Sequence, residues 1–73
     1  MKNNIKEIRE QKGLTRKELA ELSGLHYKKI TDYENNYINI ENVTIGNLNR
    51  IAIALHCTLD ELCRDKPEAL KTE

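Results

Sequence analysis

The sequence has few of the features that mark secreted or membrane-spanning proteins. It holds two cysteines, Cys57 and Cys63, which are too few for a disulfide framework. No run of apolar residues approaches the roughly 20 needed to span a bilayer. The first residues, MKNNIKEIREQKG, lack an apolar core segment, so we expect no signal peptide. The expectation is therefore a cytoplasmic protein with reduced thiols.

Signs of catalysis or metal binding are also missing. A chain of this size buries roughly 60% of the surface exposed by its unfolded form, which leaves little room for a deep cleft. The sequence shows no nucleophile–base constellation, no Gly-rich phosphate loop and no paired acids in a pocket-sized context. His56, Cys57 and Cys63 fit no standard zinc spacing, so both thiols are interpreted as small core residues. We expect no enzyme activity, cofactor, metal or small-molecule ligand, and no membrane partner.

An excess of one charge is absent as well. Twelve basic and twelve acidic residues give a formal net charge of zero. Strong nucleic-acid binders are often basic overall, so this neutrality counts mildly against that class. The distribution softens the objection, since residues 1–40 hold eight Lys/Arg against six Asp/Glu and residues 41–73 hold four against six. Because the field that attracts phosphate is local, charge placement matters more than the total.

The patterning that is present predicts an all-α protein. Gly13 stands where a helix ends on a left-handed residue, and Thr15 with Glu18 forms a capping box that opens the next helix. Thr58 and Glu61 repeat the capping box. Residues 37–43 are expected to form a loop, with no strand assigned. The predicted helices run over about residues 4–12, 15 to 23–24, 26 to 35–36, 45–55 and 58–62.

The ends of the later helices are marked too. Asn36 follows the third helix as the second choice, after Gly, for a left-handed residue. Thr44 can cap the fourth helix, and His56 stands where that helix must stop. From residue 64 the chain is charged and contains the only proline, so we expect a folded domain over residues 1–63 and a frayed tail over 64–73. The fourth helix is expected to carry one buried apolar stripe at helical spacing, formed by Ile45, Leu48, Ile51, Ala52 and Leu55.

The segment from Thr15 to Asn36 reads as two short helices joined by a tight turn. Small Ala20 lies four residues before Gly24, and Ile30 follows six residues after it. Helices that cross steeply need a small residue at the contact, a permissive residue where the chain reverses and a branched apolar residue where the second helix docks. Apolar contacts around the turn are expected from Leu19, Leu22 and Leu25. Such a unit presents a helix to the DNA major groove.

On these residues the chain resembles the phage repressor/Cro-type, or XRE-type, helix-turn-helix domain. The likeness covers about residues 5–63 and rests on three segments, IREQKGLTRKELAELSGL, ITDYENN and IAIALHCTLDELC. It implies a compact five-helix bundle, the lambda-repressor-like DNA-binding fold, in which helix two supports and helix three contacts bases. Most such domains regulate transcription by binding operators, commonly as dimers.

Three positions depart from the family pattern. His26 stands where the recognition helix is usually capped by Ser or Thr. Asn36 replaces the Gly that usually follows this helix. Val43 stands where Pro is common, after a loop that is slightly longer than usual.

The resemblance also implies residue roles. Arg9 is expected to pair with Glu34 and to fix the orientation of the third helix rather than to add net stability, because desolvation offsets most of the attraction. The expected base-contacting residues are Tyr27, Lys28, Thr31 and Asp32. The expected contacts to the DNA backbone come from Arg16, His26, Lys29 and Asn35.

Several of these residues have a second interpretation. Lys28 can donate to guanine or to a phosphate oxygen. Asp32 repels phosphate, but it can accept from cytosine N4 or hold Lys28 through an i,i+4 pair. Tyr33 follows the buried spacing of Ile30 and is expected in the core. Tyr37, Ile38 and Ile40 have three alternative contacts: they can cover the edge of the core, touch a DNA backbone or touch a partner protein.

A candidate dimer surface lies near the fourth and fifth helices. Ile53 points away from the apolar stripe and, beside Leu59 and Leu62, suggests an exposed patch of the kind that marks interfaces. One domain makes few base contacts, whereas a two-fold dimer places two recognition helices about one DNA turn apart. The leading hypothesis is a sequence-specific regulator, a small repressor that binds a palindromic double-stranded DNA operator as a homodimer.

The alternative hypothesis is a protein-interaction module of the same fold, such as an antitoxin or adaptor with weak DNA binding. The neutral charge and Asp32 motivate it.

Overall fold

Five α-helices follow one another in the computed structural model, which describes residues 2–64. They confirm the predicted all-α class, and their bounds differ from the predicted ones only at the ends. No strand occurs within this range, and none of its helices has the length and apolar character needed to cross a membrane. Most of the predicted charged tail, residues 65–73, lies outside the described residues. The helices are α1 (Ile5–Gln11), α2 (Arg16–Ser23), α3 (Tyr27–Glu34), α4 (Ile45–Leu55) and α5 (Leu59–Cys63).

The predicted caps begin three of the helices. Thr15 Oγ1 accepts from the Glu18 amide at 3.0 Å, and the Glu18 carboxylate accepts from the Thr15 amide at 2.8 Å. Thr58 and Glu61 form the same reciprocal pair at 3.0 and 2.9 Å. Thr44 Oγ1 accepts a backbone amide of α4 at 3.2 Å. Each cap satisfies backbone donors that a helix start would otherwise leave unpaired.

Left-handed residues end the helices where the sequence predicted them. Asn36 follows α3 at φ 61° and His56 follows α4 at φ 56°. Gly13, after α1, is at φ 74°. A side chain makes this conformation unfavourable by about 1–2 kcal/mol, which Asn and His tolerate better than most residues. These ends set where each helix reverses into the next.

The core draws a fully buried residue from every helix. Helix α4 is central, because it packs against α1, α2 and α5. Its stripe is buried from Leu48 to Leu55, and Ala54 is also buried. The fully buried side chains are Ile5, Leu19, Ile30, Ile51, Leu55 and Leu62.

The loop between α3 and α4 covers one edge of this core. It contains a short 3-10 turn, Ile40–Asn42. Ile40 and Val43 are buried, and Ile38 packs partly against the core, whereas Tyr37 is exposed. Of the three alternative contacts for this loop, Ile38 and Ile40 make the one that covers the edge of the core.

Three expectations about apolar residues are corrected. Leu22 and Ile45 are 61% and 68% exposed, although the spacing assigned both to buried contacts. Periodicity identifies a helix face but not how far along it the packing partner extends, and Ile45 is the first residue of α4. Leu62 is fully buried, so it cannot belong to an exposed patch. The patch expected beside Ile53 therefore retains Leu59, which is itself partly buried against the core.

Two truncations in neighbouring helices test whether Leu62 is a core residue and Ile53 a surface residue. Leu62→Ala removes a fully buried side chain and should lower the free energy of unfolding by about 2–5 kcal/mol. Ile53→Ala alters a side chain that is 66% exposed and should change it by no more than about 0.5 kcal/mol. Urea unfolding at low protein concentration measures both. Equal losses for the two variants would contradict the core described here.

Candidate nucleic-acid interface

The turn between α2 and α3 is closed on one backbone carbonyl. The oxygen of Ala20 accepts from the amides of Gly24 and Leu25 at 3.0 and 3.2 Å. The hydroxyl of Ser23 donates to the same oxygen at 3.3 Å. Gly24 adopts φ 74°, and a Cβ there would lie 3.3 Å from Arg50 Nη1. A small residue at the contact and a permissive residue at the reversal were both predicted, and both are present.

His26 caps α3 through its imidazole ring. Nδ1 accepts from the Lys28 amide at 3.1 Å, the bond that a Ser or Thr hydroxyl supplies in other helices. Because Nδ1 must offer a lone pair, the proton of the neutral ring resides on Nε2. The departure at this position therefore preserves the cap and leaves an exposed ring with an N–H donor at the start of α3.

One face of α3 is buried and the opposite face is open. Ile30, Tyr33 and Glu34 are buried. The predicted base-contacting residues lie on the other side: Tyr27 is 49% exposed, the Lys28 side chain is 77% exposed, and Thr31 and Asp32 are partly buried. Lys29, in the first turn of α3, and Asn35, just after its last residue, are exposed.

Lys28 and Asp32 lie together on this open face. Lys28 Nζ is 3.8 Å from Asp32 Oδ1, one helical turn away. Such a surface pair adds little to stability. It does place a cation beside the carboxylate, which offsets the repulsion that Asp32 exerts on phosphate. The pairing alternative for Asp32 thus has direct geometric support.

The carboxylate of Glu34 anchors the buried side of α3. Its side chain is fully buried, and Oε2 accepts from Arg9 Nε at 2.6 Å. Oε1 accepts from Arg9 Nη2 at 3.2 Å and from Arg16 Nε at 3.0 Å. Arg9 Nη1 also donates to the carbonyl of Leu14 at 2.7 Å. These bonds join the end of α3 to α1, to the segment after α1 and to the start of α2.

Arg16 occupies a position between this anchor and the open face. Its side chain is 29% exposed. The hydrogen bond to Glu34 is the main cause that raises the pKa of Arg16, and Tyr27 adds smaller contributions in the same direction. Arg16 was expected to contact phosphate. In the structure its guanidinium donates to Glu34 beside the first residue of α3, and the phosphate contact stays a prediction.

Comparison with protein families matches residues 5–62 to the family described as Helix-turn-helix. The chain belongs to the XRE-type helix-turn-helix family. This is a DNA-binding family rather than an enzyme family, and the chain is a DNA-binding helix-turn-helix regulator. No curated protein matches the sequence.

Sequence reasoning missed two contributions to this XRE-type site. Arg16 and Glu34 are 18 positions apart, and no local spacing signals their contact. Asn3 Nδ2 donates to the carbonyl of Tyr33 at 2.6 Å and to Asn36 Oδ1 at 3.1 Å. Asn3 Oδ1 accepts from the Ile5 amide at 3.1 Å. The N-terminal segment thereby ties the end of α3 to the start of α1, and the only signal was the Asn pair before a helix.

The two cysteines lie just before and at the end of the short helix α5. Cys57 and Cys63 are free and partly buried. Burial is the main cause that raises the pKa of both thiols, which disfavours the reactive thiolate. Within residues 2–64, no group of three or more His, Cys, Asp or Glu residues is placed to hold a metal ion.

Removal of Arg9 tests the anchor. Arg9→Ala strips the buried Glu34 carboxylate of its bidentate partner and should lower the free energy of unfolding by about 3–5 kcal/mol. Lys17→Ala, at an exposed position of α2, is the matched loss of a cation and should change it by no more than about 0.5 kcal/mol. Urea unfolding compares the two. An unchanged midpoint for Arg9→Ala would show that the pair does not hold α3.

Proposed function

We propose that this protein is a sequence-specific transcriptional repressor that binds a palindromic operator as a homodimer. The observation that carries the proposal is the contrast between the two faces of α3. One face is fixed by the Glu34 anchor, and the other presents Tyr27, Lys28 and Lys29 to solvent. A helix held rigidly on one side and open on the other suits insertion into the major groove.

Phosphate contacts would set the register of that insertion. Arg16 and His26 lie at the start of α2 and just before α3, where N–H donors can contact the backbone flanking the groove. The N-terminus of α3 has no acidic residue in its first turn, so the positive end of the helix dipole is not opposed there. Lys29 adds a second exposed cation to this end.

Base contacts would come from the middle of the open face. Lys28 donates to guanine O6 or N7, while Tyr27, Thr31 and Asp32 contact neighbouring base edges. Occupation of the operator then excludes polymerase sterically. We further propose that the protein acts in the cytoplasm.

The proposed dimer surface is on α4. Ile45 and Ile53 are both highly exposed and lie eight residues, about two turns, apart on the helix. Their burial in a two-fold interface would remove apolar surface from water. The same symmetry would place two α3 helices on successive major grooves.

Selection of bound DNA from a random-sequence library, at near-physiological salt, tests the function. The expected product is a two-fold palindrome with half-sites roughly 10 base pairs apart. No enriched sequence, or equal affinity for the enriched and scrambled DNA, would reject a specific repressor. That result would favour the alternative function, an antitoxin or adaptor, and capture of a protein partner would test it.

Lys28→Ala tests the base contact on the selected operator. A lost guanine contact should weaken binding by about 1–3 kcal/mol and relax preference at one base pair. A lost phosphate contact should weaken all sequences alike and reduce the salt slope by about one. Lys6→Ala, an exposed cation on α1, is the charge-matched control and should leave preference unchanged. If both variants had the same operator affinity and base preference, Lys28 would not contact the DNA.

Ile53→Asp tests the dimer in the absence of DNA. A charge at the centre of the proposed interface should convert the dimer to a monomer in sedimentation equilibrium. Leu22→Asp, at an exposed leucine on α2, should leave the dimer intact. A wild-type protein that is monomeric at every concentration, or an Ile53→Asp dimer as stable as wild type, would contradict this interface.

A further inference from the structure

Thr31 has an unusual environment on the open face of α3. Its Oγ1 is inaccessible to solvent and, within the part of the chain that the structure describes, it has no hydrogen-bond partner. The residue as a whole is nevertheless partly exposed. Buried hydroxyls in proteins are nearly always bonded, so an unbonded one calls for an explanation.

Any part of the Thr31 side chain that solvent reaches is carbon. A threonine side chain consists of Cβ, the hydroxyl and the Cγ2 methyl group, and the hydroxyl is the part turned inward. The α3 backbone is occupied by helical hydrogen bonds, and the Thr31 carbonyl accepts from the Asn35 amide at 3.0 Å. The Thr31 side chain can therefore offer only carbon, its methyl group, and no donor or acceptor to a ligand on the open face.

A methyl group at this position matches one feature of the major groove. The C5 methyl of thymine projects there, and apolar side-chain groups, the threonine methyl among them, recognise it by contact. Tyr27 and Lys28 precede Thr31 by four and three residues, so all three lie on adjoining parts of the open face. The branched Cβ of Thr31 also restricts χ1, which fixes the direction of the methyl group.

We propose that Thr31 is a specificity-determining residue that selects thymine through its Cγ2 methyl group rather than any base through its hydroxyl. This inference rests on the proposed function, since it assigns a base to one position of the operator. It also accounts for the orphaned hydroxyl, because the conformation that buries Oγ1 is the one that displays the methyl group.

The test uses the full chain and its selected operator. Each thymine of one half-site is replaced in turn by deoxyuridine, which lacks the C5 methyl group and keeps the same pairing. Binding is measured for wild type and for two variants. Thr31→Ser deletes the methyl and keeps the hydroxyl, whereas Thr31→Val keeps a methyl and deletes the hydroxyl. Melting temperatures show that all three proteins are folded.

The expected result is one thymine at which deoxyuridine weakens wild-type binding about fourfold, as for the loss of one buried methyl contact. Thr31→Val should show the same ratio at that thymine. Thr31→Ser should bind the two operators equally. Comparison across variants separates this contact from any effect of deoxyuridine on DNA shape, because a shape effect would persist in Thr31→Ser.

Three outcomes would overturn the inference while the proposed function stands. In the first, deoxyuridine weakens the binding of Thr31→Ser as much as that of wild type at every thymine. Full affinity in Thr31→Ser together with weakened binding in Thr31→Val would show a hydroxyl contact instead. An operator with no thymine in its half-site would also exclude it. Selection that yields no operator would reject the proposed function itself, and the inference with it.

Discussion

The orientation of α3 depends on the hydrogen bonds made by one buried carboxylate, that of Glu34. A single side chain joins α3 to two other helices through Arg9 and Arg16, with charged hydrogen bonds of 2.6 to 3.2 Å. Desolvation offsets most of the attraction within such a group, so its net contribution to stability is small. The effect of these hydrogen bonds is to fix the orientation of α3. Any other orientation of α3 would leave a buried charge without partners, which is strongly unfavourable.

Hydrogen bonds at its two ends constrain α3 further. His26 fixes the first turn of α3, and Asn3 binds the carbonyl of Tyr33 near its last turn. The left-handed Asn36 then turns the chain away from the helix. Both ends and the inner face of α3 are thereby constrained, while the outer face contributes little to folding. Substitution on that outer face should therefore leave the fold intact, which is the property that the proposed base-contacting surface requires.

Sequence reasoning predicted what is decided within a few residues. The capping boxes at Thr15 and Thr58, and the left-handed positions Asn36 and His56, depend on neighbours four positions away or fewer. Contacts between distant parts of the chain were different. The Arg9–Glu34 pair, 25 positions apart, was expected only from the family resemblance, and contacts that the resemblance did not imply were missed. Asn3 and Tyr33 are 30 positions apart, and the exposure of Leu22 and Ile45 depends on where the packed surface of other helices ends. The buried, unbonded hydroxyl of Thr31 depends on how the side chain packs in the folded protein, which composition and spacing do not encode.

The most direct measurement of the central claim is a map of the DNA-contacting surface on the isotopically labelled protein. Amide chemical shifts would be followed during titration with the selected operator and with a scrambled duplex. If the outer face of α3 contacts bases, the largest changes fall on Tyr27 to Asp32 and differ between the two duplexes. Changes centred on α4 and α5, with α3 unaltered, would contradict the claim.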